Sequence, residues 1–231
     1  MRIFAIGDLH LSGNPPQKPM TIFGAQWENH WFRIQQDWLN RVREEDLVLL
    51  PGDISWGMRL PDALPDLLSV AALPGQKVLI RGNHDYWWQT LNKMNAALDG
   101  RLHFLQNTFF AADRFAVCGS RGWLLPDDPQ FQVSDEAIYR RELLRTEASL
   151  KAAEQAGFRQ KLLLLHYPPL YASTQRSEFA ALCKQYQVRH CLYGHLHDAG
   201  ITAAFEGEKD GTCYHLVSAD ALAFQLKEII W

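Results

Sequence analysis

Apolar positions along this chain fall into short blocks separated by longer stretches of helical spacing. The runs Arg2–Gly7, Leu47–Leu50 and Lys77–Ile80 are apolar at most positions and each ends in a turn signal, which predicts buried strands. Between them, apolar residues at helical intervals predict helices over about Glu28–Arg43, Pro61–Ala72 and Tyr86–Leu98. A β-α-β-α-β-α order of this kind predicts a largely parallel sheet with right-handed crossovers.

The middle of the chain reads differently. Leu102–Leu105, Thr108–Ala112 and Phe115–Cys118 follow one another closely, with turn signals at Gln106-Asn107 and Asp113-Arg114, and this predicts hairpins. A Pro-, Asp- and Trp-rich loop follows at Gly119–Gln132. The longest helical pattern is Ser134–Ala156, with Ser134 placed to cap it and Gly157 to stop it. Strands are predicted again at Lys161–Leu165 and Arg189–Tyr193, around a helix at about Ser177–Tyr186. The runs Ile201–Phe205, Tyr214–Val217 and Ala223–Ile230 predict a further antiparallel group. There is no repeat, low-complexity tract or flexible linker, so a single domain over residues 1–231 is expected.

Composition narrows the function classes. A net charge of −3 gives no bulk reason to bind nucleic acid or an anionic membrane. Hydrophobic content of 47% and charged content of 21% are those of a folded globular chain. No apolar run approaches the ~20 residues that span a bilayer, and the N-terminus reads as a strand rather than a signal peptide. Cys118, Cys183, Cys191 and Cys213 form no Cys-x-x-Cys pair, so reduced thiols in a cytoplasm are the expectation.

Five predicted strands end in residues that carry chemistry. Arg2–Gly7 delivers Asp8-Leu9-His10, and Leu47–Leu50 delivers Pro51-Gly52-Asp53. Lys77–Ile80 runs into Arg81-Gly82-Asn83-His84-Asp85. Lys161–Leu165 runs into His166, and Arg189–Tyr193 into Gly194-His195-Leu196-His197. Ligands of parallel sheets sit beyond the carboxyl ends of strands, so a common crevice is expected. Carboxylate, amide and imidazole donors suit Mn, Fe, Co or Zn. Each motif alone is an ordinary turn or a packed histidine; their ordered recurrence at strand ends is what favours a metal site.

Asp-x-His, Gly-Asp, Gly-Asn-His-Asp, a lone His and Gly-His-x-His, in that order from Asp8 to His197, resemble the calcineurin-like metallophosphoesterase superfamily. The resemblance implies an α/β fold, a four-layer αββα sandwich of two mixed β-sheets flanked by helices. It implies two divalent transition-metal ions per chain, Mn first and Fe, Zn or Co as alternatives. One metal would take Asp8, His10, Asp53 and His197, and the other Asp53, Asn83, His166 and His195. A carboxylate has two oxygens to share between cations, which suits Asp53 to the bridge; Asn83 supplies a neutral oxygen. Catalysis would fall to a hydroxide bridging the metals, with His84 as general acid and Asp85 holding its imidazole.

The expected activity is therefore hydrolysis of phosphoesters, with a phosphodiesterase of small or nucleotide-like substrates placed first. A phosphomonoesterase or protein phosphatase using the same centre is the alternative, and a non-catalytic scaffold of the same fold a remote one. Neither bulk nucleic-acid binding nor membrane binding is expected. His30 is placed at most behind the metal ligands, while His103, His190 and His215 are read as structural. Arg81 is read either as a phosphate contact or as a plain surface charge. Trp87 and Trp88 are read as core before substrate contact. Trp56, Met58, Arg121-Gly122-Trp123 and the segment Ser12–Gln26 remain candidates for substrate contact.

Overall fold

Leu47–Leu50 is apolar at every position because it is covered on both faces. It forms β2 (Leu47–Leu50), buried throughout, between the parallel strands β1 (Ile3–Ala5) and β3 (Gln76–Leu79). The computed structural model describes residues 1–174 and 176–230. The chain divides into two units, Met1–Phe104 with Val217–Trp231, and Leu105–Leu216.

In the first unit the sheet order is β11-β1-β2-β3-β4, with β4 (His103–Phe104) parallel to β3 and β11 (Lys227–Ile229) antiparallel to β1. Helix α1 (His30–Arg41) buries Ile34 and Trp38, one turn apart, into a core shared with Phe4, Val48 and Leu79. Helix α2 (Leu60–Ala71) buries Ala63, Leu67 and Val70, and its first turns accommodate Pro61 and Pro65. Helix α3 is shorter than its sequence pattern, covering only Leu91–Leu98. The preceding Trp87 and Trp88 lie in a turn and are buried in the same core, Trp88 edge-on to Phe104 at 5.3 Å.

The second unit holds a sheet of order β5-β6-β7-β8-β10-β9. β5 (Phe109–Ala112) and β6 (Phe115–Ser120) form the predicted hairpin, while β7 (Gln160–Leu165), β8 (Val188–Tyr193) and β10 (Thr212–Leu216) continue parallel to β6. β9 (Gly207–Lys209) closes the edge antiparallel to β10. Helix α4 (Glu136–Gln155) is tied to β6 by polar bonds: Ser149 Oγ accepts from Gly119 N at 3.0 Å, and the Ser120 and Thr146 hydroxyls meet at 2.7 Å. It stops at Gly157, whose φ of 92° suits a residue without Cβ. Helix α5 (Glu178–Gln185) starts at Ser177, whose hydroxyl accepts from Ala180 N.

Two mixed sheets with helices establish the expected α/β class. Four local expectations are corrected. Ser134 does not cap α4, because Val133–Asp135 forms a 3-10 turn and the Asp135 carboxylate takes Gln132 N and Trp123 Nε1 instead. β4 joins β3 rather than a hairpin with β5. Ile201–Phe205 is no strand: Asp198–Ala203 is a 3-10 helix. The tail is no single antiparallel group either, since β10 lies parallel to β8 and β11 joins β1. Local pattern shows which segments extend, but the partner of a strand is chosen by tertiary packing. Among the described residues, no helix is long and apolar enough to cross a membrane.

Candidate metal centre

β1, β2 and β3 are parallel neighbours, so the turns that follow them adjoin. Backbone bonds fasten these turns together: Asp8 N donates to Gly52 O at 3.0 Å and His10 N to Asp53 O at 3.0 Å. Asp8, His10 and Asp53 adopt left-handed φ values of 57°, 48° and 53°, which cost a residue with a Cβ about 1 kcal/mol or more each. Such outliers persist where surrounding contacts over-determine them, and here they fall on three predicted ligands. Gly82 is required by crowding, since a Cβ there would stand 2.0 Å from Asp53 Oδ1.

The resulting cluster is buried. Asp8, His10 and Asp53 are 0%, 4% and 2% exposed. A carboxylate oxygen of Asp8 lies within 4.8 Å of one from Asp53 and of a ring nitrogen of His10. His10 Nε2 stands 3.9 Å from Asp53 Oδ2, and Asp53 Oδ1 accepts from His84 N at 2.8 Å. His84 thus sits beside the cluster, its ring centroid 5.8 Å from that of His10. Asn83 emerges half-buried between Gly82 and His84 at the end of β3.

Asp85 does something other than hold the His84 imidazole. Its fully buried carboxylate accepts from Asp53 N and Gly82 N at 2.8 Å each, Ile54 N at 2.9 Å and Trp87 Nε1 at 2.9 Å, with Ser55 N farther off at 3.4 Å. It therefore clamps the β2 turn to the β3 turn and sets the position of Asp53. Burial pushes the Asp85 carboxyl above the usual carboxylate range, against the pull of the backbone N–H groups of Gly82, Ile54, Ser55 and Asp53.

Rings complete the surroundings. Trp56 stacks on His10 at 4.9 Å and approaches His84 at 4.4 Å. Trp27, which sequence reasoning missed, stands edge-on to His10 at 6.2 Å. His30 is buried behind them with Nε2 3.0 Å from Leu9 O and Nδ1 3.2 Å from Trp27 O, so it props the Asp8-Leu9-His10 turn. Burial holds its pKa below the ordinary value, the two carbonyls opposing that effect. Asp66 was also missed, although it breaks the apolar stripe of Ala63, Leu67 and Val70 on α2. Its oxygens accept from Gly13 N at 2.8 Å and Ser55 Oγ at 2.5 Å. Burial raises its pKa against the opposing pull of those two donors. Met58, by contrast, is exposed.

In the second unit, parallel β7 and β8 bring His166 and His195 together, ring centroids 5.1 Å apart. His166 N donates to Arg121 O and Gly194 N to His166 O. His195 takes a left-handed φ of 72° and lies 4.1 Å from the Tyr167 ring. His197 follows at the start of the 3-10 helix Asp198–Ala203. Arg121 lies over Trp123 at 4.3 Å, with its guanidinium 3.9 Å from the buried Glu142 carboxylate.

The donor set fits divalent metal. Two carboxylates buried beside an imidazole are costly without a cation to neutralise them, and oxygen with imidazole nitrogen is the donor chemistry of Mn, Fe, Co and Zn.

Comparison with known proteins agrees. The family model described as calcineurin-like phosphoesterase matches residues 1–199. No curated protein matches. A solved protein of unknown function from Aquifex aeolicus has the same fold, with a TM-score of 0.52 at 13% identity over 98% of this chain and 95% of that one.

Proposed function

The chain belongs to the calcineurin-like phosphoesterase family, and from that premise we propose that it is a phosphodiesterase of small or nucleotide-like substrates working with two divalent transition-metal ions, manganese foremost. Family membership supports metal-dependent phosphoester hydrolysis, and the buried Asp8–His10–Asp53 cluster is the observation that carries it to these residues.

Asp8, His10, Asp53 and His197 hold one metal in this reading, and Asp53, Asn83, His166 and His195 the other. The metals, when bound, supply positive charge that polarises the phosphoryl group and makes water acidic enough to attack near neutral pH. Asp53 presents two oxygens whose directions are fixed by the His84 amide on one side and by Asp85 behind its own amide. His84, beside the cluster but outside the ligand set, protonates the departing alkoxide. Asp85 acts as a positioning residue. We place the chain in the cytoplasm, a reading supported by its four free cysteines, three of them buried.

Screening phosphodiesters and phosphomonoesters with Mn, Fe, Co and Zn, alongside elemental analysis, tests this directly. Turnover of diesters with two metals per chain is expected, lost on chelation and regained on adding metal. Turnover of monoesters alone would overturn the diesterase assignment, and a plateau at one metal would overturn the paired centre.

A further inference from the structure

Next to His10, within the first unit, a cavity of about 560 Å³ opens between the segment after Leu11, the first turns of α1 and one face of α2. Its volume is in the range of small-molecule sites. Met20, Trp27, Trp31 and Phe32 supply apolar walls, three of them aromatic. Ser12, Asn29 and Gln35 add hydrogen-bonding groups. No lysine or arginine lines it among the described residues, whereas Glu28 and Asp66 do.

With Glu28 on its wall and no lysine or arginine among the lining residues, the cavity favours an uncharged group over a second phosphate or a carboxylate. It accepts a flat, uncharged group whose faces meet rings and whose edges carry hydroxyls or amides. The walls are set in advance: Asp66 spends its oxygens on Gly13 N and Ser55 Oγ, which pins the start of the Ser12–Gln26 segment to α2. Phe32 remains 61% exposed, an apolar face open to cover by a ligand. His10 itself lines the cavity, so a group seated there adjoins a candidate metal ligand.

We propose that this cavity binds the nucleosidyl group of a phosphodiester substrate, the base lying against the aromatic wall and the sugar hydroxyls meeting the polar groups. The inference rests on the phosphodiesterase reading and names its substrate class. Stacking on aromatic side chains tolerates any base, so selectivity for nucleosidyl over alkyl groups is expected, without selectivity among bases.

The metal-loaded chain is assayed with the para-nitrophenyl ester of thymidine monophosphate and with methyl para-nitrophenyl phosphate. Both release the same nitrophenolate and differ only in the retained group. A preference of about tenfold or more in kcat/KM for the thymidine ester, expressed in KM, is expected. Phe32→Ala removes an exposed wall and Thr21→Trp fills the cavity from an exposed position; each should cut that preference severalfold. Equal use of the two esters, or a preference that neither variant moves, overturns the proposal. If neither ester is hydrolysed, the phosphodiesterase reading has failed, and the cavity is judged by quenching of tryptophan fluorescence with thymidine alone. Saturable quenching weakened by Thr21→Trp sustains nucleoside binding, and its absence overturns it.

Discussion

At the ends of β2 and β3 the chain presents the carboxylates of Asp53 and Asp85, which accept backbone N–H groups, whereas at the ends of β7 and β8 it presents the imidazoles of His166 and His195, packed against each other and against Tyr167. Asp85 alone receives Asp53 N, Ile54 N, Gly82 N and Trp87 Nε1, and three candidate ligands nearby hold left-handed backbone. His195 has the Tyr167 ring 4.1 Å away, and His166 is fastened through its own N–H and C=O. Hydrogen bonds to a carboxylate are short, directional and strong, while ring packing is broad and tolerant. The first set of turns is thus where carboxylate charge is concentrated and held by directional bonds; the second supplies imidazole nitrogens with rings beside them.

The largest effect is expected at the centre of the clamped set. Asp53→Asn keeps shape but gives up charge and one oxygen donor, and should abolish metal-dependent turnover and lower metal content at both sites. Retention of two tightly held metals in elemental analysis would show that Asp53 does not bridge. His84→Ala should leave metal content nearly intact and slow turnover by ~10²–10⁴-fold. The loss should be greatest for alkyl or nucleoside leaving groups and least for nitrophenolate, as read from kcat over a series of leaving-group pKa values. A parallel drop across the series would assign His84 to the phosphoryl oxygens instead.

Asp85→Ala breaks the clamp without replacing a proposed ligand. With its donors left unpaired in the core, a loss of about 3 kcal/mol or more is expected in urea unfolding. A loss below about 1 kcal/mol would mean that the turns are held by the ligands rather than by Asp85.

The second unit offers its own electrostatic test in His190, whose Nδ1 lies 3.1 Å from His215 Nε2 and whose pKa burial lowers to about 4. An imidazole kept neutral by folding binds its proton more readily when unfolded. Its contribution is therefore intact above pH ~6.5 and lost as pH falls toward 4, by up to about 3 kcal/mol. His190→Gln should flatten that acid limb in unfolding measured against pH; an unchanged slope would place the acid sensitivity elsewhere. Smallest is Trp56→Leu, which frees the stacked His10 ring and should weaken metal binding about tenfold with little change in Tm. Unaltered affinity would show that the turn backbone suffices to orient His10.

Much of this was legible along the chain. Leu47–Leu50 was found at both of its ends, because a strand buried on both faces leaves no polar position to confuse the pattern. The candidate ligand motifs stand out for a related reason, since each follows a short apolar run ended by a turn signal. Helix α3 begins at Leu91 rather than Tyr86 because the bond from Trp87 Nε1 to Asp85 and the burial of Trp87 hold the preceding chain in a turn. Asp85 was assigned to the wrong partner because adjacency to His84 in sequence says nothing of side-chain direction, and a buried carboxylate goes where N–H donors converge.

By itself, the sequence determined the strands of the parallel crossovers in the first unit and the residue types at their ends, because period and composition are local properties that burial enforces directly. Only tertiary structure decided that β11 returns to pair with β1, that Asp66 pins the segment after His10, that Trp56 covers the His10 ring, and that Asp85 serves Asp53 rather than His84. Those outcomes depend on which donors and faces are left unsatisfied once the sheets have formed, and that is settled by neighbours distant in the chain.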